Sequence, residues 1–250
     1  MLLEISLLVA AAFGAGVLNT IAGGGTFLTF PALVFLGVPP VAANATSAVA
    51  VFPGYLAGAI GFGRELRSIG KEGLGRLVLV ALLGGLVGAS LLLVSSDEAF
   101  ALIVPFLLFA ATLSFLFGDR LRAAAARHAG GITPFGATGL FLVSVYGGYF
   151  NGGLGIVLLA LFALWGMSGI HVMNGLKNGI SFAVSIISVA TFALAGLVAW
   201  PQAIVMMVAS SIGGYAGAPI ARALPRRVVW GVIVVTGFVM SAIFAIRAFS

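Results

Sequence analysis

The sequence predicts an all-α polytopic membrane protein made of two inverted repeats, each a broken re-entrant helical hairpin followed by three transmembrane helices. Three observations carry that expectation. The chain is apolar along its whole length, two glycine-rich interruptions fall at corresponding points of its halves, and its basic residues gather in three short loops. Of 250 residues, 62% are hydrophobic and 7% charged, and the mean hydropathy is +1.24. Soluble domains carry about 25% charged residues, so the solvent that suits this composition is a bilayer.

Taken in order, residues 5–18 form a first apolar arm, and Asn19-Thr-Ile-Ala-Gly-Gly-Gly25 interrupts it before a second arm at 26–36. Neither arm reaches the ~20 residues of a spanning helix. Each glycine weakens a helix by roughly 1 kcal/mol, and backbone released from a helix has no partner in lipid. A break of this kind is tolerated only within protein or a watery cavity, which in transporters is where substrate binds. Residues 1–18 have no basic n-region and one charge, Glu4, so they read as part of the mature fold.

After Gly37-Val-Pro-Pro40, residues 41–62 make a full span containing Asn44, Thr46, Ser47 and Pro53. A basic loop at 63–76 follows, with Arg64, Arg67, Lys71 and Arg76. Residues 77–94 are the next span, and the small residues of Gly84-Gly-Leu-Val-Gly-Ala89 suit close helix approach. Asp97 and Glu98 mark an acidic turn before the span at 99–117. The second basic loop, 118–131, holds Arg120, Arg122 and Arg127, and its Arg-Ala-Ala-Ala-Ala-Arg core predicts a short interfacial helix.

The plan then recurs. Arms at 133–150 and 156–167 flank Asn151-Gly-Gly-Leu-Gly155, and 169–198 is a long span with several polar residues. Residues 201–221 carry Gly213-Gly-Tyr-Ala-Gly-Ala218, and a third cluster, Arg222, Arg226 and Arg227, precedes the last span at 228–246. A shift of 132 places Gly16 on Gly148, Asn19 on Asn151, Gly23 on Gly155, Phe30 on Phe162 and Gly37 on Gly169. A shift of 129 places Gly84, Gly85, Gly88 and Ala89 on Gly213, Gly214, Gly217 and Ala218. The expectation is one membrane domain over 1–250, with repeat one at about 1–118, repeat two at about 132–250 and a cytoplasmic linker between them.

The basic loops set the orientation. If the broken elements crossed the membrane, Arg222, Arg226 and Arg227 would lie opposite the other two basic loops; if they are re-entrant, all three clusters share one side. Cytoplasmic loops carry the excess of Lys and Arg. Re-entrant hairpins are therefore expected, with the repeats inverted, the basic loops inside, and Asp97, Glu98 and both termini outside. The net charge of +6 then reports topology, and nucleic acid is not an expected partner. With no cysteine, disulfides, thiolate catalysis and cysteine metal sites are excluded, and no cofactor or metal is expected.

Both breaks put helix N-termini near the bilayer middle, where free N–H groups and about half a positive charge suit an anion. The candidate substrate-binding residues are Asn19, Thr20, Gly23, Gly24 and Gly25 at the first break and Asn151, Gly152 and Gly153 at the second. Asn44, Thr46 and Ser47 join them from the first repeat's polar helix, and Asn174, Lys177, Asn178 and Ser181 from the second. Either Asn could equally cap its own turn. Lys177 is the one basic residue inside a long span, and no Asp or Glu lies within an apolar span to pair with it. It faces a polar pathway or snorkels to the surface. Asn174, Asn178, Ser181, Ser185 and Ser188 line one helix face, which in lipid must meet protein or water. His171 at a helix start reads as solvated, and Trp165, Trp200 and Trp230 as interfacial anchors.

The run Gly14-Ala-Gly-Val-Leu-Asn-Thr-Ile-Ala-Gly-Gly-Gly-Thr-Phe-Leu, then Pro31, Ala43-Asn-Ala-Thr-Ser47 and Asn174-Gly-Leu-Lys-Asn178 resemble the TauE/SafE sulfite exporter family over nearly the whole chain. That resemblance implies a bacterial or archaeal inner-membrane protein moving sulfite or small sulfonated anions such as sulfoacetate. A passive anion channel of the same architecture is the alternative. An intramembrane enzyme is not expected, because no span holds an aspartate pair or a His pair.

Overall fold

The computed structural model describes residues 2–21, 24–61, 71–127, 136–167, 169–223 and 226–249. Among the described residues every regular element is a helix. The first half comprises α1 (Leu2–Ile21), α2 (Thr26–Phe35), α3 (Pro40–Gly61), α4 (Lys71–Leu93) and α5 (Asp97–Leu116). The short α6 (Gly118–Arg127) leads to α7 (Ala137–Tyr149), α8 (Leu154–Leu164), α9 (Ile170–Leu194), α10 (Trp200–Ala223) and α11 (Arg226–Phe249). The alanine-rich basic linker is thus helical, and it packs against α8 and α5.

Among the described residues four helices are long and apolar enough to cross a membrane, through Leu2–Asn19, Gly73–Leu93, Asp97–Ser114 and Val172–Leu194. Helices α2 and α8, at 10 and 11 residues, extend only about 15–17 Å at 1.5 Å per residue, half a hydrocarbon core. The first arm departs from expectation: α1 runs for 20 residues instead of stopping at position 18. Asn19, Thr20 and Ile21 all tolerate helical geometry, so the break waits for the glycines. Its partner α7 keeps a short length, 13 residues.

The chain folds back sharply at both breaks. Gly14 faces Leu28 across α1 and α2, while Gly139 faces Leu161 and Gly147 faces Leu154 across α7 and α8. Those pairings make two antiparallel helical hairpins. Thr29 on α2 and Ser47 on α3 share a hydrogen bond of 2.6 Å. Since α2 and α3 also run antiparallel, the first tip comes level with the middle of α3. The second tip is reached by Tyr55 of α3 and Ser185 of α9, each near the middle of its helix.

Glycine sets the closest helix approaches. A Cβ on Gly16 would collide with the backbone of Ser210 and Gly214, and one on Gly213 with the backbone of Phe13, which locks α1 onto α10. In the same way a Cβ on Gly148 would collide with Gly85, and one on Gly88 with Val145 and Tyr149, which locks α7 onto α4. Helices α5 and α11 lie antiparallel: the Ser241 hydroxyl donates to the Pro105 carbonyl at 2.8 Å, and Phe109 meets Phe238 at 5.7 Å. Helices α3 and α9 are antiparallel as well, with Phe52 stacked on Phe182 at 5.2 Å and the Ala199 N–H donating to Thr46 Oγ1 at 3.0 Å.

Two large apolar clusters and a small one of Ala15, Val51 and Tyr55 hold the described part of the bundle. One of the large ones gathers Phe27, Phe30, Phe100, Phe150, Phe192 and Phe244 around α2 and the second tip. The other packs Leu140, Leu154, Leu158, Phe162, Leu176 and Ile180 around α8. Trp165 belongs to this second cluster, 5% exposed and 5.3 Å from the Phe162 ring, so it is a core residue and not the interfacial anchor its place near a span end suggested. Trp200 is 45% exposed; the side chains of Trp230 and His171 lie outside the described residues.

Candidate functional site

At the first break the turn is closed from within. Asn19 Oδ1 accepts the Gly25 N–H at 2.8 Å, so the amide caps its own hairpin. Gly24 and Gly25 are buried, Thr20 lies in the last turn of α1, and Gly23 lies outside the described residues. The three polar residues of α3 are all buried and all engaged. Asn44 Nδ2 donates to the Tyr149 carbonyl at 2.8 Å, Thr46 receives the Ala199 N–H, and Ser47 pairs with Thr29. They therefore tie α3 to the end of α7, to the start of α10 and to α2.

The second break is arranged differently. Asn151 has a φ of 61°, a left-handed conformation that Asn tolerates better than most residues. Its amide turns away from its own hairpin: Tyr55 Oη donates to Asn151 Oδ1 at 3.3 Å, and Asn151 Nδ2 donates to Ser185 Oγ at 3.5 Å. Tyr146 Oη donates to the Gly152 carbonyl. Within the turn, Gly152, Leu154, Ile156 and Val157 find backbone acceptors, while the N–H groups of the buried Gly153 and Gly155 meet none among the described residues.

On α9, Asn174 and Asn178 are half-buried, and Lys177 between them is 5% exposed. Among the described residues Lys177 forms no ion pair, and none of them groups three metal-ligating side chains. Ser181 is fully buried and its hydroxyl has no partner among the described residues. Ser188 bonds back to the Val184 carbonyl. The structure thus brings Asn151 to Ser185, with Ser181 and Lys177 about one and two turns before it on the same α9 face. No hydrogen bond among the described residues joins Asn19 to Asn151.

Tyr55 and Tyr146 escaped the sequence reading. The available signal was a phenol hydroxyl in the middle of a span, where lipid offers no hydrogen-bond partner; only four tyrosines occur in the chain.

The family model described as "Sulfite exporter TauE/SafE" matches residues 8–244. The chain belongs to the TauE/SafE sulfite exporter family. A relative from Haemophilus influenzae, a "Probable membrane transporter protein", is 30% identical over 95% of this chain and 93% of its own length. The "Probable membrane transporter protein YfcA" of Escherichia coli K12 is 27% identical over 96% of this chain and 89% of its own. ORF9 of a Sinorhizobium species, also a "Probable membrane transporter protein", is 25% identical over 95% and 90%. No solved structure matches significantly. Together with its four long apolar helices, the match makes this TauE/SafE chain a multi-pass membrane protein of a transporter family.

Proposed function

We propose that this TauE/SafE chain exports sulfite or small organosulfonate anions across the cell inner membrane, binding them near the bilayer middle between its two hairpins. The observation that carries the reading is the height of the tips, each level with the middle of α3 or α9. A helix N-terminus then ends half-way across the bilayer, where its N–H groups and partial positive charge suit an anion. Lys177 adds a full charge, and among the described residues no carboxylate sits in mid-helix to bind a cation. Export needs no coupling ion, since a potential of 100 mV, negative inside, drives each negative charge outward with about 2.3 kcal/mol.

The fold is read as two inverted repeats. In support, the sequence shifts of 132 and 129 turn one glycine lock into the other: Gly16 on Gly214 becomes Gly148 on Gly85, and Gly213 on Phe13 becomes Gly84 on Val145. The remaining equivalent helices, α3 with α9 and α5 with α11, pack against each other and run antiparallel. A two-fold axis relating antiparallel partners lies across them, in the plane of any membrane they cross. With the basic loops cytoplasmic, both hairpins are re-entrant and both termini are outside. By the shift of 132, α7 corresponds to residues 5–17, so α1 extends beyond it by residues 2–4 at its start and 18–21 at its end.

The test is flux from proteoliposomes, paired with thermal shift of the purified protein. Saturable sulfite efflux accelerated by external sulfite is expected, with stabilisation by sulfite, thiosulfate and sulfoacetate but not by zwitterionic taurine. Turnover far above ~10⁴ per second, beyond gated motions of microseconds to milliseconds, would make the protein a passive channel. Neither flux nor stabilisation by any of these anions would remove the reading.

A further inference from the structure

The linker helix α6 carries one face that the bundle leaves open. Its start packs on α8, where a Cβ on Gly118 would lie 3.4 Å from the Ile156 side chain, and it also meets α5. Arg120, Ala123, Ala124 and Arg127 are exposed, and positions three and four apart share one face of a helix. The two arginines stand about 10.5 Å apart along the axis, and the alanines between them are too short to screen either. Phe117, in the turn before α6, lies at the foot of this face, 43% exposed, with the Arg120 guanidinium 5.8 Å over its ring.

The depth of this face follows from α5. That helix begins with Asp97 and Glu98 and continues for 20 residues, about 30 Å, the thickness of a hydrocarbon core. With two carboxylates held at one edge of the bilayer, Phe117 reaches the other edge and α6 enters the polar layer beyond. The exposed phenyl ring therefore meets acyl chains where the two guanidinium groups meet headgroups.

Charge and shape choose the occupant. Helix α6 has three arginines to one acidic residue, Asp119, and among the described residues neither Arg120 nor Arg127 is in an ion pair. A guanidinium binds phosphate through paired N–H donors, and stacking on a ring orients it while leaving those donors free at its edge. An acidic protein segment would answer the arginines but not the phenyl ring at the hydrocarbon boundary; a phospholipid answers both. We propose that Phe117, Arg120 and Arg127 seat an anionic phospholipid, its headgroup on the guanidinium groups and an acyl chain along the phenyl ring, and that this lipid steadies α6 against α8. Because α8 is the returning arm of the second hairpin, the lipid acts on that hairpin from the membrane surface. The proposal needs only the membrane location of the chain and holds for any transported solute.

The experiment is a thermal-shift titration of the purified full chain in neutral detergent with dioleoyl phosphatidylglycerol, dioleoyl phosphatidylcholine or glycerol 3-phosphate, together with amide hydrogen exchange. Phosphatidylglycerol is expected to raise the melting temperature saturably and to slow exchange across Gly118–Arg127, and phosphatidylcholine to need at least about fivefold more lipid. Arg120→Gln and Arg127→Gln should each raise the half-saturating phosphatidylglycerol concentration about fivefold, the effect of one basic side chain near an anionic surface. Arg76→Gln, which removes an exposed charge in α4, should leave it within about twofold. All three side chains are exposed, so the variants should melt like wild type without lipid. Equal stabilisation by the two lipids would overturn the proposal, as would equal weakening by Arg76→Gln, or variants at 120 and 127 that bind like wild type. Stabilisation by glycerol 3-phosphate matching that by phosphatidylglycerol would replace the lipid with a soluble phosphate. Stabilisation without slower exchange at α6 would place the lipid elsewhere, and either result sinks the seat.

Discussion

Removing the Lys177 charge gives a prediction with two opposite signs. Positions 177 and 185 on α9 are eight residues apart, about 12 Å along the axis, and Ser185 touches the second tip through Asn151. An anion at that tip lies on the order of 10 Å from the lysine. At an effective dielectric of ~20, two unit charges at that distance attract by about 1.7 kcal/mol, or ~20-fold in affinity. Lys177→Met should therefore weaken sulfite binding roughly 20-fold in titrations at low ionic strength. Lys177→Arg, which keeps the charge, should stay within about threefold. Without anion, Lys177→Met should melt higher than wild type, because a buried charge without a counter-ion is removed and an apolar chain of similar length replaces it. Unchanged sulfite affinity in Lys177→Met would show that the charge plays no part in binding. A lower melting temperature would show that the ammonium is satisfied in the folded protein.

Four further outcomes test the architecture. Cysteines introduced at the exposed Ser96 and Arg127 should react with a membrane-impermeant maleimide from opposite sides, Ser96→Cys from outside and Arg127→Cys from the cytoplasm; labelling from the same side would sink the inverted topology. Gly148→Leu should abolish the folded, monodisperse protein in detergent chromatography, as Gly16→Leu should, because both side chains would enter a neighbouring backbone. Gly54→Ala, with open space at its Cβ, should raise stability by about 0.5–1 kcal/mol through helix propensity. Asp97 Oδ1 accepts the Val41 N–H of α3 at 2.9 Å from the start of α5; Asp97→Ala should lower stability by about 1 kcal/mol, and Asp97→Asn by less, as read by thermal shift.

The helices were legible because apolar run length and glycine breaks act locally: the ends of α2, α3 and α9 fall within a few residues of the expected bounds. Partner choice was legible only at the glycines, since Gly84, Gly88 and Gly213 announce close approach through their size while leaving the partner open. The length of α1 was misjudged because asparagine was counted as part of the break, although it is helix-compatible and breaks nothing unaided. Trp165 was misplaced for a related reason: position near a span end says nothing about which way a ring turns, and this one turns inward onto Phe162. At the site, Asn151 and Ser181 were visible as polar groups in an apolar run. Their different uses were not, because whether an amide caps its own turn or reaches another helix depends on what the fold brings beside it, here Tyr55 and Ser185.

The apolar packing of the hairpins is as unequal as their hydrogen bonding. Phe30 on α2 is fully buried among Phe100, Phe150 and Phe244, at 6.2, 6.0 and 5.4 Å, and Phe100 continues to Tyr149 at 5.6 Å. Phe162, 132 residues later, meets Trp165 among aliphatic side chains. The ring cluster links α2, α5, α11 and the tip residue Phe150, so it bridges both hairpins on the side where α3 begins. Interlocked edge-to-face rings hold a defined geometry, each pair contributing about 0.5–1.5 kcal/mol beyond area burial. Toward the opposite side, Asn174 and Asn178 stay half-buried and Gly54 faces open space. On the inverted-repeat reading the ringed side is the outer one.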